Sequence, residues 1–315
     1  MNLELPKNLK LPNLDLKLKT WQRRTLYGLF AAAAFLFALR QTFPTEAVKE
    51  RLVMEAAAQG WELTVVDVEA AGFAGIGMRG VTLESREGIR IPVERLTASL
   101  RLWPLVLGRR SIAFDAEVFD GHVKGYAEER KGGRRLVAQA AGVDLSRAVP
   151  LRKATGLDLL GSLRGDVDIT LDEKEPAKSA GHADLVVEGA TVNGGAVPVP
   201  GMAGALTVPR IGLGELSARA VVKDGRIQVE RLAAAGADLE LSGEGLYAVI
   251  QPRMAYAPIF GKARLKIRDA FWTKGGAPAL KGLVDLALSP ARAGDGSYGF
   301  QIYGTLSQPQ ARMAP

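Results

Sequence analysis

Cysteine is absent from the 315 residues, and histidine occurs only twice. The first absence excludes disulfides, thiolate metal sites and cysteine nucleophiles. It leaves the compartment open, since cytosolic and periplasmic proteins alike do without the residue. The second leaves little for a metal centre: His122 and His182 stand far apart, each in an alternating run near a turn, whereas zinc takes closely spaced ligands. They read as ordinary strand residues, and no metal or cofactor is expected. Aromatic residues make up only 6% of the chain, and no dense basic face interleaved with aromatics appears, which argues against nucleic acid as a partner. Glycine is abundant, at 36 residues, and much of it separates short alternating runs, as in a chain of many strands joined by tight turns.

The formal charge of +7 is not spread evenly. Residues 1–24 hold Lys7, Lys10, Lys17, Lys19, Arg23 and Arg24 against Glu4 and Asp15, so most of the excess lies beside one segment. That segment, Thr25 to Leu39 (TLYGLFAAAAFLFAL), carries no charge. Fifteen helical residues reach about 22 Å, short of a hydrocarbon core of about 30 Å. Snorkelling Arg23, Arg24 and Arg40 and the interfacial Trp21, Tyr27 and Phe43 close the gap. A cleaved signal peptide and a buried core helix are the alternatives. The run ends Phe37-Ala38-Leu39-Arg40-Gln41, a poor cleavage site, and the cationic leader favours a signal anchor. The cationic side stays in the cytoplasm, so the expected layout is a basic cytoplasmic tail (1–24), an inner-membrane helix (25–40) and a periplasmic remainder (41–315). Seven leucines in the leader, interrupted by Pro6 and Pro12, suit anionic lipid, a cytoplasmic partner or a free tail.

A juxtamembrane helix is expected within 41–60, with Pro44 in its first turn, Ala, Glu, Lys and Leu through Thr45 to Gln59, and Gly60 as its stop. From Trp61 onward period-2 alternation dominates. Leu96 to Leu102 alternates strictly, Ile112, Phe114, Ala116 and Val118 repeat the pattern, and Leu163, Val167, Ile169 and Leu171 oppose Arg164, Asp166, Asp168 and Thr170. Successive strand side chains point to opposite faces, so each run has one dry and one wet face. Asp224-Gly225 and Asp120-Gly121 are hairpin-turn signals. Further strand-like runs lie near 182–188, 237–249, 262–268, 281–288 and 298–306. The fold class expected is mainly β, a long curved antiparallel sheet or half-pipe. A break at 138–160, with a short helical turn at Val143 to Val149, divides it into β subdomains at 61–140 and 141–315. A second loop zone at 189–203 contains Pro198 and Pro200.

No catalytic motif emerges. Gly75-Ile76-Gly77-Met78-Arg79-Gly80 matches a dinucleotide fingerprint formally, but strand-like residues follow where a helix is required; it reads as a Gly-rich turn. Asp166 and Asp168 read as a wet strand face, and Glu128 to Arg135 around Gly132-Gly133 as a solvated hairpin tip. Trp103-Pro104-Leu105 interrupts a strand, with Trp103 either plugging the sheet's end or lining a lipid-facing mouth. A periplasmic enzyme needs converging titratable groups, and none is visible, so no enzymatic activity is expected.

The stretch Ile91 to Gly125, IPVERLTASLRLWPLVLGRRSIAFDAEVFDGHVKG, resembles a repeating element of AsmA-like proteins, in which an alternating strand ends in a Pro-Leu corner and the next carries an Asp/Gly turn. Tyr303-Gly304-Thr305-Leu306-Ser307-Gln308-Pro309 is similar to the G-T-L-S-x-P ending of such domains. The layout as a whole is similar to the N proteins of type II secretion systems, the GspN family, in their delta-proteobacterial form: basic leader, membrane helix, a Phe43 to Lys49 helix start, then a β domain. The resemblance implies an inner-membrane accessory or scaffold component of the type II secretion system, partnered by other secretion subunits, and transfers no active-site residue. AsmA-like relatives are linked to phospholipid movement along an apolar groove, which implies the alternative of a lipid-binding or lipid-transfer module of the cell envelope.

Overall fold

Alternating residues become strands because every second side chain can then leave water while the backbone is paired on both sides. The computed structural model describes residue 27 and residues 45–58, 60–72, 75–85, 90–130, 132–149, 158–172, 174–198, 205–251, 256–274 and 277–314. Contacts divide the chain between Pro44 and Thr45. The expected anchor at 25–40, Tyr27 apart, lies outside the described residues. Among the described residues no helix is long and apolar enough to cross a membrane.

The second unit opens with α1 (Thr45–Ala58). Gly60 stops it at φ 87, its N–H donating to Ala57 O at 3.0 Å. The helix lies against β1 (Trp61–Thr64) and β2 (Asp67–Ala71). The chain continues through β3 (Gly75–Ser85), β4 (Arg90–Leu100), the one-turn helix α2 (Leu102–Val106), β5 (Ser111–Val118), β6 (Gly121–Arg130), β7 (Gly133–Asp144) and β8 (Asp158–Asp172). Then come β9 (Ala180–Asn193), the small β10 (Gly195–Pro198) and β11 (Ala205–Val208), β12 (Ile211–Lys223), β13 (Arg226–Ala235), β14 (Leu239–Val249) and β15 (Ile259–Ile267). Helices α3 (Asp269–Trp272) and α4 (Ala277–Ala287) precede β16 (Tyr298–Gly304) and β17 (Pro309–Met313).

Fifteen of these strands form one antiparallel sheet, ordered as in the sequence except that β1 and β2 both pair with β3 and that β12 follows β9 directly. The second predicted loop zone, 189–203, instead holds the end of β9 and strand β10, which pairs with β11 just beyond it. The sheet does not close: β1 and β2 form one edge and β17 the other. The boundary expected at 140/141 falls inside β7, at a bulge where Gly142 takes φ 67. Pairing runs on from β7 to β8, so the sheet continues across the expected break. The predicted helical turn is the 3₁₀ turn Leu145–Arg147, capped by Asp144, whose carboxylate accepts from Ser146 N–H at 2.9 Å.

Two turns test the hairpin reading. Asp224 and Gly225 take φ 51 and 70 between paired Lys223 and Arg226, as expected. At the other, Phe119 and Asp120 occupy the left-handed positions, φ 50 and 59, and Gly121 is already paired with Val118. The glycine serves close approach: a Cβ there would lie 2.5 Å from the Val143 backbone. Phe119 holds a conformation that costs an aromatic residue energy and packs its ring on the cluster Leu145, Ala148, Val187 and Ala190.

Residues 281–288, expected as a strand, belong largely to α4. Ala277, Leu280, Val284 and Ala287 form its less exposed side, a helical period that a short apolar run can mimic. Tyr298, buried on β16, donates to Asp285 Oδ1 at 2.7 Å and pins the helix to the sheet.

Candidate functional site

The register resolves the sheet into two chemically distinct faces. On one, cross-strand neighbours from β4 to β12 run Leu100, Ile112, Ala127, Leu136, Ile169, Gly181 and Val222. The next row on the same face runs Ala98, Phe114, Gly125, Ala138, Val167, Ala183 and Ala220, and a third runs Leu96, Ala116, Val123, Ala140, Gly165, Leu185 and Ala218. No polar side chain interrupts the three rows. The opposite face carries Thr97, Asp115, Lys124, Gln139, Asp166, Asp184 and Arg219 in one row.

Among the described residues, the apolar face is buried towards its ends and at Val222 on β12. Val65, Val68, Met78, Val81 and Val93 are buried near α1, the Leu145 cluster lies at the β7–β8 connection, and Phe271, Ala277, Ala291 and Tyr298 are buried near α4. In between, no apolar side chain of β5 or β6 is buried, and Leu100, Ile112 and Leu136 are 46%, 47% and 44% exposed. A soluble protein seldom leaves a contiguous apolar area of this kind open without a use for it. The many Ala and Gly positions keep the floor low, so a chain of methylenes can lie along it.

The polar face is tied by ion pairs. Arg135 grips Asp168 through both oxygens, at 2.9 and 2.6 Å, with both side chains half-buried. The arginine's hydrogen bonds hold the Asp168 carboxyl below its ordinary range against the opposing effect of burial. Replacing Asp168 with Asn is expected to cost about 1 kcal/mol at pH 7, as for a partly buried charge pair. A carboxyl with a lowered folded pKa stabilises above the unfolded value of about 3.9 and loses that stabilisation as pH falls through the folded one. The gap between wild type and Asp168→Asn in urea unfolding should therefore narrow as pH falls below about 4. Nearby, the Arg101 guanidinium lies 4.2 Å from the centre of the Tyr126 ring, beside an open depression lined by Thr97, Asp115, Lys124, Tyr126 and Gln139.

His182 is better partnered than its sequence context indicated. Its Nε2 lies 3.2 Å from Asp166 Oδ2, and Asp166, His182 and Asp184 bring ligand-type atoms within 4.8 Å of one another, across β8 and β9. A divalent cation is chemically admissible there. However, Asp184 already accepts from Arg219 at 2.9 and 3.3 Å, and Asp166 and His182 are exposed, so a cation has to displace an arginine. His122 stays on β6, with β7 and β8 between it and His182.

Other residues singled out by sequence fall as follows. Gly75 to Gly80 lie inside β3, paired to β2 and β4, with no helix after them and no turn. Glu128 is buried, not solvated, with Arg130 Nε 3.0 Å and Arg109 3.8 Å from its Oε1. Trp103 plugs nothing: it is 77% exposed on α2. Comparison with protein-family models, with curated proteins and with solved structures yields no match.

Proposed function

We propose that this chain is an inner-membrane-anchored accessory component of a type II secretion system, with residues 25–40 as the anchor and an AsmA-like, half-pipe sheet in the periplasm that acts as a scaffold, not as an enzyme. The observation that carries the scaffold role is the open sheet. β17 pairs with β16 on one side only and all five of its residues are exposed. A free edge offers unpaired N–H and C=O groups to a partner strand. The resemblance of the layout, a basic leader, an apolar run, the Phe43 to Lys49 helix start and a β domain, supplies the secretion context, and the Tyr303 to Pro309 ending the AsmA-like one. A photo-crosslinker at Gln310, on β17, should capture another secretion subunit in cells. Capture of none, with the same label in β17 of a chain that reaches the membrane, sinks the scaffold reading.

The uncovered apolar face favours a second reading, a lipid-binding or lipid-transfer module of the envelope. An acyl chain on the Leu100 and Ala98 rows would take those side chains out of water, at about 25 cal/mol per Å² of apolar surface removed.

A further inference from the structure

The connection from β4 to β5 holds apolar side chains outward on a closed backbone. After the single turn of α2, Gly108 takes φ 72, and the N–H groups of Gly108 and Arg109 donate to Leu105 O and Pro104 O at 2.9 Å each. These are the two bonds of a Schellman end, in which a left-handed glycine terminates a helix. Arg101 N–H donates to Ser111 O at 2.9 Å and closes the base, while Pro104 is buried inside. Held this way, Leu102, Trp103, Val106 and Leu107 are 57%, 77%, 79% and 62% exposed.

Within the turn the charges are of one sign, although Arg109 lies 3.8 Å from Glu128 Oε1 on β6. Leu100 to Arg110 contains Arg101, Arg109 and Arg110, all exposed, and no acidic residue. The neighbouring β6–β7 hairpin adds Arg130, Arg134 and Arg135 against Glu128 and Glu129, and Arg135 is held by Asp168. An outward Trp and three aliphatic side chains ringed by arginines match the requirements of a bilayer interface. The apolar side chains sink to the acyl boundary, the indole sits at headgroup level, and the guanidinium groups meet phosphate.

We propose that the turn Leu102 to Leu107 is a second membrane contact, docking on the surface of an anionic phospholipid bilayer. The proposal rests on the anchored reading of residues 25–40, which brings a membrane within reach. Leu100, at the base of the turn, begins the exposed apolar row, so a docked turn places that row against lipid.

The absence of native cysteine makes Val106→Cys a unique labelling site. The full chain carrying an environment-sensitive fluorophore there is reconstituted into phosphatidylcholine vesicles with or without phosphatidylglycerol. With phosphatidylglycerol the emission should shift to the blue and be quenched by shallow lipid-borne quenchers; a label at Asp224→Cys should stay aqueous. Near an anionic surface each arginine is worth about 1 kcal/mol, about fivefold, so Arg101→Gln, Arg109→Gln and Arg110→Gln together should lower the ratio of docked to free turn roughly a hundredfold. Added salt, which screens the surface potential, should release the unsubstituted turn and needs no variant to fold. Flotation of the unlabelled chain with vesicles reports the anchor, and its failure removes the anchored reading and this proposal with it. A label that stays aqueous on a chain that floats overturns the docking turn alone. A label shielded equally in both vesicle types overturns the assignment to anionic lipid.

Discussion

Replacing Lys274 with Met should destabilise the fold by about 2 kcal/mol at pH 7, below the range for a fully buried ion pair because the lysine side chain is 47% exposed; it leaves the buried Asp238 carboxylate held by the Gly212 N–H without a counter-charge. Asp238 is 1% exposed. Its Oδ2 accepts from Gly212 N–H at 2.6 Å and from Lys274 Nζ at 2.5 Å, and its backbone carbonyl accepts from Arg268 N–H at 2.9 Å. One residue thus joins the β13–β14 connection to the start of β12 and to the chain around α3. Its Oδ1 is buried without a partner among the described residues. Burial drives the carboxyl upward, but Lys274 and the Gly212 N–H together outweigh it and keep it below the ordinary range.

The sign of the pH effect follows. In the wild type the folded pKa is depressed, so this group's stabilisation is present above about pH 4 and disappears as pH falls through the folded value. With Lys274→Met, desolvation dominates and the folded pKa rises above the unfolded one. The variant should then gain stability as pH drops from 7 towards 4, opposite to the wild-type trend for this group. Adding Asp238→Asn removes the stranded charge and should recover part of the loss, since deleting both charges is far less costly than deleting one. Urea unfolding followed by circular dichroism across that range checks all three. A Lys274→Met curve parallel to wild type at every pH would mean that the carboxylate is not dependent on the lysine.

Much of the fold was legible because alternation is a local property. The runs at Leu96, Ile112, Leu163 and Leu216 needed no tertiary information to be assigned as strands with one dry face. What failed depended on the third dimension. Gly121 sits beside an aspartate and looks like a turn residue, yet β7 approaches it too closely for any Cβ. Residues 281–288 fit both periods, and only the buried Tyr298 on a later strand shows which one the packing selects. Asp166, His182 and Asp184 meet through the register of β8 with β9, which no short stretch encodes. Above all, alternation says which side chains share a face. It does not say whether a second layer covers that face, and the open floor over β4–β8 is the feature on which the lipid reading depends.

That floor carries the other large effect. Leu136→Asp or Ile112→Asp should abolish lipid co-purification with the chain while costing about 1 kcal/mol of stability. A charge placed among acyl methylenes costs about 3 kcal/mol, roughly a hundredfold in binding. The same substitution at a site that is 44% or 47% exposed in the free protein should cost about 1 kcal/mol in unfolding, from the half of the side chain already out of water and the poor fit of Asp in a strand. The combination discriminates because a packed core behaves in the opposite way: a buried aspartate there would unfold the protein. Gln139→Asp, on the polar face of the same strand, should leave lipid unaffected and cost a few tenths of a kcal/mol at most, Lys124 on one side offsetting Asp166 on the other. Native mass spectrometry of the chain extracted from membranes reads the first quantity and urea unfolding the second. If Leu136→Asp instead loses several kcal/mol of stability, a layer covers the floor in solution and the sheet has no room for an acyl chain. If lipid is retained at wild-type levels by a stable Leu136→Asp, the lipid lies elsewhere, and the open edge of β17 is left as the working surface of the sheet.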